Sequence, residues 1–360
     1  EHYKKLIADD PSNKILGEPE DYYKVYNEED LSALKDLPTT EFPATTDEWM
    51  CNTLHLIDME KLKTPVFIVQ EFGWNLFRLV ARAQLALIKA EKCDLKLNKN
   101  VTDSKDVRDE NVDHNWEIQT KDSSYKVRYL VNSCGFKTGI IDESLELNTK
   151  RLIEFKAAYV SKWQPIDGLI PEMIFHGERG TPHGMAQLTP YCEDYYQIHG
   201  MTRDITLFED GLVKSKNNEV QPKFNKDLRQ KLEGTWEKDE INSRTENGIE
   251  FISKCLPSFE TATVGGPPMF GAQQIPGDDP DLRVGEVSFP GKSYARSEIV
   301  KASSALTVAN QIIDQIQKEN IIPSVKVKLD PDFILIDIPK IDIDKLASEL
   351  TVQRGYPEAM

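Results

Sequence analysis

The sequence predicts a mixed α/β (α+β) chain in which two unlike β regions are joined through the middle of the molecule. Three observations predict it. Residues 75–135 read as helix, strand, hairpin and a last strand running into small residues; residues 151–210 read as short strands punctuated by Gly and Pro; and residues 282–318 return to strand, loop and helix.

The chain has 360 residues, enough for two domains with shared or separate cores. Residues 1–64 are polar and acidic with strong turn signals, such as Asp10-Pro11-Ser12-Asn13 and Leu37-Pro38-Thr39, and little regular structure is assigned there. From Asn75, a fitting N-cap, Leu76, Leu79, Val80, Ala83 and Leu87 recur at helical spacing. "DLKLNKNVTD" follows as a strand and a bend. "HNWEIQTKDSSYKVRYLVNSC" contains two alternating runs joined by the polar Lys121-Asp122-Ser123-Ser124, the pattern of a hairpin. Its last run ends on Ser133, Cys134 and Gly135, small residues that let another group approach the backbone.

"FKAAYVSKW", "EMIFHG", "GMAQLTP" and "YYQIHGMT" are the short strands of the middle, and residues 222–254 carry two helices with Trp236 near their junction. A strand and a Gly/Pro loop then lead into a long helix from about Ser297, with Ala302, Leu306, Ala309, Ile313 and Ile316 on its buried face. The tail "FILIDIPKIDIDKLASEL" reads as an edge strand entering a short helix, or as an arm that docks on a partner.

Composition removes several function classes. With 44 Lys and Arg against 60 Asp and Glu, the net charge of −16 offers no basic face for nucleic acid. No apolar run reaches membrane-spanning length. The five cysteines are odd in number, far apart and lack C-x-x-C, which fits reduced thiols in a cytosol-like, cytoplasmic setting. His176, His183 and His199 have no metal-ligand spacing, so no metal is expected. "GEVSFPGKS" approaches the P-loop pattern, but five residues separate Gly285 from Gly291, and a nucleoside triphosphate site is set aside.

"FGWNLFRLVARAQLALIKAEKCDLKLNKNVT", then the hairpin, then "YLVNSCG" resembles the second half of the FAD domain in D-amino-acid-oxidase-like flavoproteins, the group of glycine oxidase and 2-hydroxyglutarate dehydrogenase. "LRVGEVSF…SYARSEIVKASSALTVANQI" resembles their closing strand and helix, so the likeness covers most of residues 65–318. It implies a partial FAD-binding Rossmann-like domain plus an antiparallel β-rich substrate domain. The implied division is an N-terminal polar region at 1–74, FAD-domain residues at 75–150, substrate domain at 151–257, a flavin-facing return at 258–320 and a tail at 321–360.

The resemblance implies FAD contacts at Val101, Ser133, Cys134, Gly135, Gly291, Ser293, Ser297 and Ser303, the later ones near a helix N-terminus whose partial positive charge suits the flavin ring. It also implies oxidation of an amine or 2-hydroxy acid. Arg203, with Arg296 second, would hold the substrate carboxylate; His199 would accept a proton; Tyr294 and Gln187 would hydrogen-bond the substrate. One departure stands out: the 19 glycines form no G-x-G-x-x-G, the segment that grips a dinucleotide diphosphate, and Gly17 is followed next by Gly73. The expectation is therefore either a piece of a longer flavoprotein, with a missing N-terminal segment or a homo-oligomeric partner, or a non-catalytic scaffold on the same fold.

Overall fold

The computed structural model describes residues 2–16, 23–69, 73–108, 113–164, 169–216, 219–299, 301–322 and 337–357. Its spine is the 12-residue strand Arg151–Lys162, buried along nearly all its length. One edge of this strand pairs antiparallel with Tyr195–Gly200 and Leu212–Lys214, the other with Thr263–Val264 and Met269–Pro276. Ala186–Pro190 and Met173–Phe175 extend the sheet to seven strands. Period-two alternation divides its two faces. Ile153, Phe155, Ala157 and Tyr159 point toward the helices Lys226–Leu232 and Lys238–Ser253 and build the main core with Phe224, Leu228 and Trp236. The opposite face of the central strand carries the charged pair Glu154 and Lys156 among buried Leu152, Ala158 and Val160.

The second β region is smaller. Leu130–Asn132 pairs parallel with Tyr294–Ser297, which forms a hairpin with Val287–Gly291. A separate antiparallel sheet, Val101–Asp106, Trp116–Thr120 and Ser124–Val127, packs beside it through Trp116, Ile118, Ile141 and Tyr294. The mixed α/β class and the antiparallel β-rich middle expected from the sequence are both present.

Helix Leu76–Lys89 starts where expected, with the Asn75 side chain accepting from the Arg78 N–H at 3.1 Å. Its inner face, Phe77, Ala81 and Leu85, packs on the tail helix Lys340–Gln353 through Ile343, Ala347 and Leu350. The helical part of the tail therefore docks on its own chain; the start of the expected edge strand, 333–336, lies outside the described residues. The outer positions Leu76, Val80 and Leu87 remain exposed.

Four elements differ from expectation. Residues 94–100 hold no strand, which begins only at Val101. The long helix begins at Ala305, after a single 3-10 turn Ala302–Ser304, rather than near Ser297. The reason is that hairpin pairing continues past Ser297, with the Glu298 N–H donating to the Glu286 carbonyl at 2.8 Å. Val308 is this helix's buried residue, whereas Ala302 is exposed and Leu306, Ala309, Ile313 and Ile316 are only half-buried. Finally, the described residues before 65 include helices His2–Asp9, Glu28–Lys35 and Thr46–Leu54. The last two open on capping boxes, Asn27 with Asp30 and Thr45 with Glu48. That Asn/Thr-x-x-Asp/Glu signature was readable in the sequence.

Candidate functional site

Strand register places the site residues. Gln187 lies opposite His199, and Glu154 lies opposite both Leu212 and Gln273. His199 follows Ile198, whose partner is Tyr159 on the helix-covered face, so His199 turns to the other face with Lys156 and Glu154. Lys156, Gln187 and His199 are half-buried there. Glu154 is almost fully buried, and both of its oxygens are occupied: Oε1 accepts from Arg179 Nη2, and Oε2 accepts from Lys156 Nζ at 2.9 Å and Gln273 Nε2 at 3.1 Å. Gln187 donates to Thr189 Oγ1 at 3.2 Å, and Thr189 in turn donates to Glu172 at 2.6 Å.

The electrostatics of this face are cationic. Burial, together with the positive charges of Lys156 and Arg179, lowers the His199 pKa to about 4. His199 is therefore neutral at physiological pH. Burial also works against the charge on Lys156, and Arg283 adds to the effect.

Along the edge of the central strand, residues 155–158 fall between the segments paired with Tyr195–Gly200 and Leu212–Lys214. The 201–211 loop covers that gap, and a cavity of about 240 Å³ opens there, lined by Glu154, Phe155, Arg179, Gly180, Arg203, Leu207, Phe208, Gly211 and Leu212. The loop is held firmly. Arg244 donates to the carbonyls of Arg203 at 3.1 Å and Ile205 at 2.8 Å, and its guanidinium sits 3.9 Å from the centre of the Phe208 ring. The 177–184 loop that carries Arg179 packs closely against backbone: a Cβ on Gly177 would meet the His183 carbonyl oxygen at 2.0 Å, and one on Gly184 the Met201 carbonyl oxygen at 2.4 Å. Arg203 is exposed, and its side chain makes no ion pair with Asp204 or Glu209 among the described residues. His199 and Gln187 thus share one face of the sheet, whereas Arg203 borders the cavity at the strand edge on a loop held from the helix side by Arg244; Arg179, which lines the cavity and acts on His199, links the two.

Tyr294 and Arg296 lie elsewhere. Both lie in a buried network around Asp142. The Tyr294 hydroxyl donates to Asp142 Oδ1 at 2.6 Å and accepts from Asn132 Nδ2 at 2.8 Å. Asp142 Oδ2 takes Arg151 Nη2 and Arg296 Nη1, while Arg296 Nε donates to Glu298 at 2.7 Å. Burial and the Asp142 carboxylate raise the Tyr294 pKa, so its proton stays on. These two side chains fasten the parallel strands to the start of the central strand. The roles expected of them, carboxylate clamp and substrate partner, are corrected accordingly: both side chains are buried, with the Tyr294 hydroxyl and Arg296 Nε and Nη1 engaged in this network.

The cofactor candidates divide in the same way. Ser133, Cys134 and Gly135 leave the carboxyl end of Leu130–Asn132, and Ser297 ends the parallel neighbour; the Ser133 and Ser297 hydroxyls are 2.9 Å apart. Gly135 has φ +56° and nothing within 4 Å of a Cβ position, an open place beside the backbone. Gly291 and Ser293, expected near a helix N-terminus facing the flavin, belong instead to the hairpin turn at the amino end of Tyr294–Ser297, away from Ser133 and Ser297. Ser293 is consumed structurally: its N–H donates to Glu319 at 2.6 Å and its carbonyl accepts Trp116 Nε1 at 2.7 Å. Val101 is half-buried in the cluster of Trp116 and Tyr294. Ser303 lies in the 3-10 turn before the last long helix of this region rather than inside a helix opening at Ser297.

Sequence reading missed Glu154, Lys156 and Arg179. A signal existed for the first two: charges two residues apart in the otherwise apolar "IEFKAAYV" mark one face of a strand.

Fold and site together set a parallel strand pair with an open carboxyl end beside a large antiparallel sheet, a fold shared with solved structures of FAD-linked oxidases and dehydrogenases. The particular likenesses are structural. L-amino acid deaminase from Proteus vulgaris matches with TM-score 0.54 at 11% identity, covering 88% of this chain and 78% of that one. L-proline dehydrogenase from P. horikoshii matches with TM-score 0.52 at 11% identity, covering 92% and 79%. Glycerol-3-phosphate dehydrogenase from Bacillus halodurans, complexed with FAD, matches with TM-score 0.48 at 13% identity, and this chain spans 48% of its length. No family model and no curated protein matches the chain.

Proposed function

We propose that this chain forms the substrate sheet and part of the FAD site of an oxidoreductase acting on an amine or 2-hydroxy acid in a reducing, cytosol-like compartment. The observation that carries the reading is Arg179, which lines the cavity that Arg203 borders and acts on neutral His199, with Gln187 opposite His199 in the sheet. A carboxylate-bearing substrate suits that cavity, because a guanidinium binds a carboxylate through two parallel hydrogen bonds. Arg203, exposed and without an ion-pair partner among the described residues, is the clamp. The rigid 201–211 loop keeps its backbone in place, so little ordering is required on binding.

His199 receives the proton from the substrate hydroxyl or amine. A pKa of about 4 makes it a weak base in the empty site. An anionic substrate between Arg179 and Arg203 offsets the positive field and raises its basicity when it is needed. Gln187 hydrogen-bonds the same substrate group. Bound at the open end of the parallel strands near Ser133, Gly135 and Ser297, FAD would supply a two-electron acceptor for the hydride leaving the substrate carbon.

The residues present fit part of FAD. Ser133, Cys134, Gly135 and Ser297 are small, lie together at the carboxyl end of parallel strands and leave open space, which is where α/β sheets bind nucleotides. The diphosphate has no G-x-G-x-x-G anchor in this chain. Leu130–Asn132 has one edge without a strand partner among the described residues, and Leu76, Val80 and Leu87 expose an apolar stripe. Further polypeptide pairing along that edge completes the site.

An absorbance scan after adding FAD tests the reading. Bound flavin bands in the blue support it, and a protein that stays colourless at saturating FAD refutes it for this chain alone. The missing glycine motif favours a second reading, a non-catalytic scaffold on the same fold, for which the colourless result is the expected one.

A further inference from the structure

Resting on the substrate site just described, we infer that Asp281 is a built-in competitor for it: in the empty chain its carboxylate stands against Arg179 in the place that a substrate carboxylate takes, and so sets how tightly the site holds that group. Arg179 lines the cavity and meets two carboxylates of opposite character. Its Nη2 donates to Oε1 of Glu154, which is almost fully buried and also pairs with Lys156. Its Nη1 is buried as well, yet it makes no hydrogen bond; Asp281 Oδ1 stands 3.6 Å away. That distance is too long for a hydrogen bond and short enough for attraction between full charges. The Asp281 side chain is 75% exposed, so water screens the attraction and the contact is easily given up. A substrate carboxylate that meets Nη1 at hydrogen-bond distance makes the bond that Asp281 leaves unmade.

Asp281 is held at this distance by its own turn. Its N–H donates to Asp279 Oδ1 at 2.9 Å, and Arg283 Nη1 donates to the carbonyls of Pro280 at 2.8 Å and Leu282 at 3.2 Å. Leu282 packs against Leu152, Ile275 and Ile299, which fastens the turn to the central strand. Arg283 Nη2 lies 3.4 Å from the same Asp281 oxygen, so the carboxylate is divided between two arginines. The other acids near the cavity act differently. Asp204, Glu209 and Asp210 on the covering loop are exposed and make no ion pair with Arg179 or Arg203 among the described residues. With Glu154 and Asp281 they match the charges of Lys156, Arg179, Arg203 and Arg283, so the net field does not draw an anion in and the contact at Arg179 decides. Losing Asp281 also has an opposing effect, a looser Arg179. It is the smaller one, because the buried bond to Glu154 already sets the guanidinium plane and a contact at 3.6 Å adds little orientation.

Calorimetric titration of the whole chain with 2-hydroxybutyrate tests this. Asp281→Asn keeps the shape and removes the charge; it is expected to bind the acid about two- to fivefold tighter, the range that one exposed ion pair spans. Asp281→Glu keeps the charge and is expected to bind no tighter than the unaltered chain. Asp278→Asn removes one exposed charge from the same loop, with no ion pair to Arg179 among the described residues, and should change the affinity less. In an Arg179→Gln background Asp281→Asn should have no effect, which a merely structural role for Asp281 would not give. The loop variants report even if Arg179→Gln folds poorly. Affinity unchanged or lowered by Asp281→Asn, or raised equally by Asp278→Asn, overturns this inference alone, because the acid is still bound. Binding of the acid by none of these chains overturns the inference together with the substrate site, while the flavin reading stands or falls by its own absorbance scan.

Discussion

Replacing Asp142 by Asn isolates the junction between the two β regions. The Asp142 side chain is completely buried, and its carboxylate receives Arg151 at the head of the central strand, Arg296 in the parallel pair and the Tyr294 hydroxyl. Asn keeps the shape and one acceptor but removes the charge, leaving Arg151 and Arg296 buried with Glu298 as the remaining anion of the network. Breaking a buried ion pair by removing one partner costs about 3–5 kcal/mol. With a urea slope of about 2–3 kcal/mol per molar, the unfolding midpoint should fall by about 1–2 M. Urea titration followed by tryptophan fluorescence measures it, with Glu219→Gln as the control: the exposed Lys223–Glu219 pair contributes no more than about 1 kcal/mol. A loss at Asp142 as small as the control's would refute the structural assignment of the network and return Arg296 to the candidates for substrate binding.

Stability should depend on pH through His199. Its folded pKa, about 4, lies below the unfolded value near 6.5, so the unfolded chain binds more protons between these values. The stabilisation is whole above about pH 6.5 and is lost as pH falls toward 4, up to about 3 kcal/mol; an NMR titration of His199 near 6.5 would contradict this. Arg203→Ala should raise KM about tenfold or more with the unfolding midpoint nearly unchanged, and unaltered kinetics would remove Arg203 from the site. Gly177→Ala drives a Cβ into the His183 carbonyl and must shift the loop that carries Arg179; a loss of about 1–3 kcal/mol in urea unfolding is expected, and a neutral result would show that the loop is not tightly packed. Ser133→Trp fills the opening shared with Ser297 and should weaken FAD uptake about tenfold or more by absorbance titration, whereas unchanged uptake places the cofactor elsewhere.

Local pattern made much of this protein legible. Periodicity and an Asn cap marked the helix at Leu76–Lys89, and alternation with a polar turn marked the hairpin at Trp116–Val127. Gly and Pro spacing marked the short strands of the middle, and the small run Ser133–Gly135 marked the open end of a strand. Such signals are written within a few residues of one another and survive in the sequence. The capping boxes at Asn27 and Thr45 were equally local, but the polar composition around them hid two helices.

Tertiary structure decided which polar residues are spent and which are available. Arg296, Arg203 and Arg179 look alike in sequence, yet the first is locked to Asp142 and Glu298, the second is exposed at a cavity, and the third is half-anchored on Glu154. Those partners lie from 2 to 154 positions away along the chain, and most become neighbours only after the strands pair. Charge and hydrogen bonding depend on distances in space, which spacing along the chain does not encode. For that reason the fold class could be read from the sequence, while the arginine-lined cavity could be found only in the folded chain.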